Sequence, residues 1–578
     1  MPTEIRFDTY YPYAELTAIL ESLVKQYPRL LKMESIGKSY EGREVYCMTA
    51  TNFDTGAADD KPALWCDGNI HATEVSASSA CLYILHKLAT EYGTNPDVTR
   101  ALDTRTFYIV PRVNPDGAEQ YFQTPPNYIR SSTRPYPFDE EPIDGLKMQD
   151  LDGDGRRLMM RIPDENGAWK INPDHPRLLT RRTPTETGGQ YFRLLPEGLL
   201  ENWDGTTLDI QRNKEGLDLN RNFPAHWRLE GEQHGAGNYP GSEPEAQNLM
   251  RFITQHPNIT GSMSFHTYSG VLLRPYGTSA DDSMPAEDLW AFQEIGKQGT
   301  DLTGYPAISV YHDFRYHPKE VITGVFDDWL YDHLGVFAWT VEIWSPQRQA
   351  GLTAGFDKDT KSGAFKFIDW HRTHPIEEDI KMLEWSDTAL EGKGYIDWYP
   401  FTHPQLGDIE LGGWHGIAAF RNPPPAFLEK EIAPLAEWAI YHALIAPELR
   451  LHSVEVTRIE EEQWVGASAY RVRVVVENVG WLPTYITKRA VERKAVRALV
   501  AEIELPEGAT LALGKQREEH GQLEGKAYKS CTPYDRDFDP SEERAKIEWV
   551  VRAKPGTEVK VTVKHQRAGT VRATVVLK

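Results

Sequence analysis

The stretch LWCDGNIHATEVSASSACLYIL, residues 64–85, places His71 and Glu74 one helical turn apart, where an apolar strand gives way to a helix. Imidazole and carboxylate are both good zinc ligands, and a three-residue offset at such a junction lets the two converge on one ion. Taken alone, the pair reads as readily as a helix-capping histidine beside a solvated glutamate, so further donors must decide. A catalytic zinc takes three protein ligands and keeps a fourth position open. SMSFHTYSG supplies His266 at the end of an apolar strand, and in α/β sheets strand ends are where ligands gather; the alternative is a satisfied core histidine. GLDLNRNFP puts Asp218, Asn220 and Arg221 in a turn. Arginine and asparagine together make a carboxylate clamp, and Asp218 is of the type that orients a ligating imidazole from behind; the alternative is a surface turn with a salt bridge. Finally, VFAWTVEIW encloses a lone acid, Glu342, in an apolar strand. A buried acid is costly without a partner, and an activated water next to a general base is one such partner.

These residues need a scaffold that collects distant strand ends. The first 120 residues alternate helix and strand signals: PYAELTAILESLVKQYP predicts a helix, LLKMESIGKSYEGREVYCMTA a hairpin, PALWCDGN a buried strand, SASSACLYILHKLATEYG a helix and TFYIVPRVNPDG another strand. From about Arg134 to Gly216 the periodicity dissolves into Pro, Gly, Asp and Arg, the mark of a structureless functional excursion or lid. Helix and strand signals then resume through FDDWLYDHLG and VFAWTVEIW to a helix that reaches about Glu448. Beyond it, short alternating segments such as AYRVRVVVENVG, AKIEWVVRA and EVKVTVKHQ predict an antiparallel β-sandwich. The expected fold class is thus α/β, a mixed twisted sheet with helices on both faces over residues 1–448, followed by an all-β sandwich over 449–578.

Bulk composition excludes some partners. Of the 578 residues 40% are hydrophobic, enough for a large core, and the formal net charge is -22. Such a surface repels polyphosphates and anionic lipids, so neither nucleic acid nor a membrane surface is an expected partner. Cys47, Cys66, Cys81 and Cys531 form no CxxC pair and are expected to be free thiols. The first residues lack the basic-then-apolar pattern of a secretory signal, which makes the cytoplasm the expected location. Composition leaves the oligomeric state open.

Within the excursion, DLDGDGRRLMMRIPDENG sets Asp150, Asp152 and Asp154 before Gly155, the first half of a calcium-loop pattern. Arg161 stands where the closing glutamate belongs, with Asp164 or Glu165 as substitutes. Bound Ca²⁺ competes here with a plain Asp/Gly turn bonded to itself.

The motifs HATE (71–74), NPDG (114–117), DLNRNF (218–223), SFHTYSG (264–270) and TVEIW (340–344) together resemble the zinc carboxypeptidases of the funnelin, or carboxypeptidase A-like (M14), family over roughly residues 10–440. The resemblance implies one Zn²⁺ held by His71, Glu74 and His266, with Glu342 as the general base. It implies that Asn220 and Arg221 bind the terminal carboxylate of a peptide substrate. Arg130, with Arg134 nearby, would stabilise the oxyanion, Tyr316 would cap the substrate and Tyr268 would line the groove. Two departures stand out. Thr73 replaces an arginine that digestive members use to bind peptide. Asp327 sits where side-chain preference is set, either favouring a basic C-terminal residue or serving as a structural acid paired with an arginine. The expected activity is hydrolysis of the C-terminal peptide bond. The alternatives are a zinc amidase or deacylase on small amides or cell-wall peptides, and a silent binding protein.

Overall fold

A computed structural model describes residues 5–317, 319–352, 370–371, 373–464, 467–529 and 540–578. Its centre is a mixed eight-stranded sheet in the order Leu31–Lys38, Glu44–Ala50, Thr106–Val110, Ala63–Gly68, Ile259–Thr267, Phe337–Ile343, Val271–Arg274, Ala307–Ser309. The Ala63–Gly68, Ile259–Thr267 and Phe337–Ile343 strands are mutually parallel neighbours. The first two are buried along their whole length, as expected of parallel strands covered on both faces. Because they are parallel, their C-terminal ends share one edge of the sheet, and HATE, His266 and Glu342 all lie at that edge.

Helices cover both faces. Val75–Glu91, Ala286–Thr303 and Pro425–Leu444 pack their apolar sides with Cys66, Phe265 and Trp339 into one core. Pro244–Gln255 and Phe326–Leu334 pack with Trp65, Tyr108 and Phe223 into the other. Each fully buried large side chain contributes about 1.5–3 kcal/mol. The helix after HATE lies so close to its strand that a Cβ on Gly68 would sit 2.6 Å from the Ala77 carbonyl oxygen, which leaves glycine as the residue that fits.

The excursion is not structureless. It contains a hairpin-like pair, Gly145–Met148 with Gly198–Glu201, and four strands of a second sheet. That sheet runs Tyr395–His403, Gly407–Trp414, Met159–Pro163, Phe192–Pro196, Trp169–Ile171, Leu179–Arg181, so the excursion is completed by strands far downstream. Its strands are only three to five residues long, too short to show a period of their own; pairing across the chain satisfies their backbones.

From Leu449 onward two four-stranded antiparallel sheets face each other across one core that includes Val472, Val474, Trp549, Val561 and Val563. This β-sandwich is attached to the α/β unit by polar contacts. Arg567 donates to the carbonyls of Gly335 and Leu334. The buried Asp288 accepts the backbone N–H groups of Lys488 and Arg489. Cys47, Cys66 and Cys81 are free and buried, and Cys531 lies outside the described residues. No helix among the described residues is long and apolar enough to cross a membrane.

Candidate active site

The loop between Gly68 and the helix Val75–Glu91 is held from within. Asn69 adopts a positive φ of 62°, a conformation asparagine tolerates, and its amide donates to the carbonyls of His71 and Ala72 at 2.7 and 3.2 Å. Asn114 of NPDG accepts from Gly117 and donates to the carbonyls of Ile70 and Ser131. The Ala72 N–H in turn donates to the Arg130 carbonyl at 3.1 Å. The HATE loop, NPDG and the Arg130 segment are therefore one braced unit.

On this frame His71 Nδ1 lies 3.0 Å from Glu74 Oε2 and 3.0 Å from His266 Nδ1, which is itself 3.3 Å from Glu74 Oε2. Each imidazole presents Nδ1 to the common point and turns Nε2 to a partner: His71 to Asp218 Oδ1 at 3.2 Å, His266 to Ser264 Oγ at 3.3 Å. The Ser264 hydroxyl donates to Asp67 at 2.7 Å, and the Trp65 indole donates to the same carboxyl. Burial pushes Asp67 up to about 7. All three donors are buried. Two nitrogens and one oxygen, each oriented from behind, suit zinc, so the residues present fit the ion.

Burial works against the charge of Glu74, but His71 and His266 outweigh it and hold its carboxyl well below the usual range. Burial drives His266 down to about 4. Asp218 is likewise held low against burial, chiefly by Arg130 and then by Arg221 and His71. Glu342 is different. It pairs in register with His266 on the adjacent parallel strand, so both side chains leave the same face of the sheet. Burial first, and Glu74 second, push its carboxyl well above the ordinary value, opposed by Arg130, Arg421 and Arg221.

Arg130 donates from Nε to Asp218 Oδ2 at 2.8 Å and brings Nη1 to 3.7 Å from Glu74 Oε1. Arg134 forms a two-pronged pair with Glu243 instead, so of the two arginines Arg130 is the one that reaches the centre. Asn220 accepts the Phe326 N–H at 2.9 Å, which joins the DLNRNF turn to the helix bearing Asp327. Arg221 is buried beside Asp218. Gly324, at φ +66°, lets the chain pass the turn; a Cβ there would be 2.3 Å from the Arg221 carbonyl oxygen. Asp327 is buried and forms no ion pair among the described residues. Burial raises it to about 6, with Arg221 near enough to pull it back down. Tyr268 is packed beside Phe420. Tyr316 is 45% exposed yet near enough to Arg130 to favour its charge.

The three aspartates of the excursion do not converge. Asp154 pairs with Arg156, while Glu197 approaches Asp150 and Asp152. Asp150 accepts the N–H groups of Gly153 and Gly155, and Glu197 accepts those of Leu151 and Leu158. This is a turn bonded to itself, and calcium finds no support in it.

Three residues of the centre escape the motif reading. Asp67 had a signal of the same kind as Glu342, a lone acid in an apolar strand. Arg421 and Asn422 had none: Arg421 Nη1 reaches Glu74 Oε1 at 3.4 Å from 347 positions away, and Asn422 accepts from the Ser76 N–H and donates to the Thr73 carbonyl.

A parallel-strand edge thus gathers two histidines and two glutamates, a donor set of the kind that holds zinc. The zinc carboxypeptidase family model (peptidase M14) matches residues 16–356, and the chain belongs to that family. A second model, a domain of unknown function (DUF8731), matches 448–576. Carboxypeptidase A1 of Rattus norvegicus is 23% identical over 358 residues, 60% of this chain and 64% of the rat protein, so somewhat under two thirds of that relative is spanned. Carboxypeptidase B of Astacus astacus is 27% identical over 349 residues, 58% of this chain and 86% of that protein. Among solved structures, thrombin-activatable fibrinolysis inhibitor aligns at 18% identity and a TM-score of 0.44, covering 76% of this chain and 74% of that one.

Proposed function

We propose that the chain is a zinc-dependent metallocarboxypeptidase that releases the C-terminal residue of peptides, with residues 1–448 as its catalytic unit and 449–578 as an attached β-sandwich. The observation that carries this reading is the convergence of His71, Glu74 and His266 beside Glu342, with Asn220 and Arg221 buried next to them. Bound there, zinc would supply Lewis-acid polarisation of the scissile carbonyl and of the attacking water. Glu342 takes a proton from that water at its carboxylate and delivers it to the leaving amine. Arg130, braced by Asp218, stabilises the negative charge that develops on the carbonyl oxygen. Arg221 and the amide NH₂ of Asn220, whose oxygen is occupied by Phe326, hold the free α-carboxylate. Tyr268 lines the groove and Tyr316 covers the bound residue.

The test is release of free amino acid from a peptide panel. A chelator should abolish it and zinc should restore it. Amidating the peptide C-terminus should lower the rate by about 10²-fold or more, because the clamp is then left unpaired. Equal rates on amidated and free peptides would exclude an exopeptidase.

Asp327 gives a pH signature. Its carboxyl, raised to about 6, is neutral below that pH and charged above it. The ratio of kcat/KM for a C-terminal Arg over a C-terminal Leu substrate should therefore fall as pH drops through about 6. Taking the ratio cancels titrations common to both substrates. In Asp327→Ala the ratio should be lower by about 10–100-fold and flat with pH, the size expected for a lost charge-assisted hydrogen bond. A wild-type ratio near one at all pH values would assign Asp327 a structural role.

A further inference from the structure

Three guanidinium groups cross the cleft in order. Arg221 lies against Asp218, Arg130 bridges Asp218 and Glu74, and Arg421 lies against Glu74. The first belongs to the carboxylate clamp, and Arg421 stands at the other end of this series of contacts. Next to it opens a cavity of about 480 Å³ walled largely by Tyr128, Met159, Tyr268, Trp414 and Phe420, with Arg157, Glu197, His371 and Arg421 as the polar groups of its lining. Its size lies within the roughly 300–1,000 Å³ of ligand pockets, and apolar walls with few polar groups are usual for them.

The structure holds this wall in place. Phe420 and Arg421 end a π-helical turn, Ile417–Arg421. The Ala419 carbonyl of that turn accepts the indole N–H of Trp344 at 3.0 Å, two residues after Glu342. Asn422, next to Arg421, clamps the HATE loop through Thr73 and Ser76. Arg421 itself donates to the Tyr128 hydroxyl at 2.8 Å and lies over the rings of Tyr128 and Tyr268. Its contacts to Glu74 and to the Thr267 carbonyl are long, 3.4 and 3.5 Å, so the guanidinium retains N–H capacity for another acceptor. Arg421, Phe420 and Trp414 all lie beyond the residues matched by the family model, and Met159 belongs to the sheet that the downstream strands complete.

We propose that Arg421 and this aromatic cavity form a subsite for the peptide on the N-terminal side of the scissile bond, with Arg421 donating to a backbone carbonyl and the cavity selecting an aromatic or large apolar side chain. This rests on the carboxypeptidase reading, since the occupant is the upstream part of the same peptide whose C-terminus lies in the clamp. Continuity supports that occupant: Tyr268 and Arg421 border both the metal ligands and the cavity.

The test uses the full-length, zinc-loaded protein and N-acylated peptides sharing one C-terminal residue. One series varies a single upstream residue among Gly, Leu and Phe at each of the first three positions before the scissile bond. At one position kcat/KM should rise by about 10–100-fold from Gly to Phe, as burial of that side chain implies. Phe420→Ala and Trp414→Ala should flatten the rise. Arg421→Ala should lower kcat/KM for the longer peptides by about tenfold or more, a larger loss than it causes on an N-acylated dipeptide. Peptide affinity measured on Glu342→Gln, where turnover does not interfere, should show the same Gly-to-Phe order. Equal kcat/KM for all upstream residues would overturn the subsite while leaving peptide hydrolysis intact. An equal loss on dipeptide and long peptide in Arg421→Ala would make Arg421 a support for Glu74. Absence of C-terminal release from every peptide would overturn the carboxypeptidase reading itself. Should Arg421→Ala fail to fold, the wild-type upstream series decides alone.

Discussion

Glu342→Gln should keep zinc at one ion per chain, leave KM within a few-fold and lower kcat by about 10³–10⁴-fold, near the upper end of what a positioned general base contributes. Glutamine keeps the volume and the hydrogen-bonding reach of glutamate but cannot take a proton at this position. The surroundings of Glu342 explain why so much rests on the charge. Its carboxyl is half-buried, and desolvation first and Glu74 second favour the protonated form, with Arg130, Arg421 and Arg221 opposing them. A base in such a place exchanges its proton readily, which is what a group that must accept and then return one requires. The same surroundings make the charge a burden to the fold, since a desolvated ion without a close partner is expensive. The variant should therefore melt at the same temperature as wild type or higher, and lower activity with unreduced stability would mark an acid kept for chemistry. Metal analysis by mass spectrometry, steady-state kinetics and a thermal melt decide it. A kcat loss below tenfold would remove Glu342 from the proton transfer.

The division between what the chain's sequence reveals and what it conceals follows the range of the interactions. His71 with Glu74, and Asp218 with Asn220 and Arg221, are local: their spacing and the turn residues between them mark them within a few positions. His266 and Glu342 are legible because each is a polar residue in a strand buried on both faces, where only function or a partner tolerates it. Their registration on adjacent strands then follows from parallel topology. The wall built by Gly407–Trp414 against Met159–Pro163 has no such mark. Those strands are short and carry arginine, proline and glycine, so no hydrophobic period betrays them, and their partners lie about 250 residues apart, as the Arg161–Glu410 contact shows. Arg421 opens RNPPP, a string that announces a turn and nothing else. Its reach to Glu74 depends on Asn422, whose two bonds to the HATE loop exist only once the sheet has formed. Tyr316 is the reverse case: a tyrosine chosen by its place before Asp328–Trp329, but left half in solvent by the fold.

His266→Ala should abolish turnover by removing the ion. Two of the three donors would remain, and a pair of protein ligands at a site built for three leaves zinc to exchange with solvent. Altering a residue behind a ligand typically weakens metal binding by about 10–100-fold, so losing the ligand should exceed that. Asp218→Asn supplies the graded comparison. It preserves the shape behind His71 while removing the charge that holds Nε2, and zinc affinity should fall by about 10–100-fold. Stability gives a readout independent of activity. Zinc at 100 times its dissociation constant raises the unfolding free energy of the wild type by about 2.7 kcal/mol; that zinc-dependent rise in melting temperature should shrink in Asp218→Asn and vanish in His266→Ala. The apo forms of wild type and His266→Ala should melt within a few degrees of each other, since the imidazole's main neighbours are the other donors and Ser264. Stoichiometric zinc binding by His266→Ala with wild-type affinity would sink the three-ligand centre, and with it the placement of Glu342 beside an activated water.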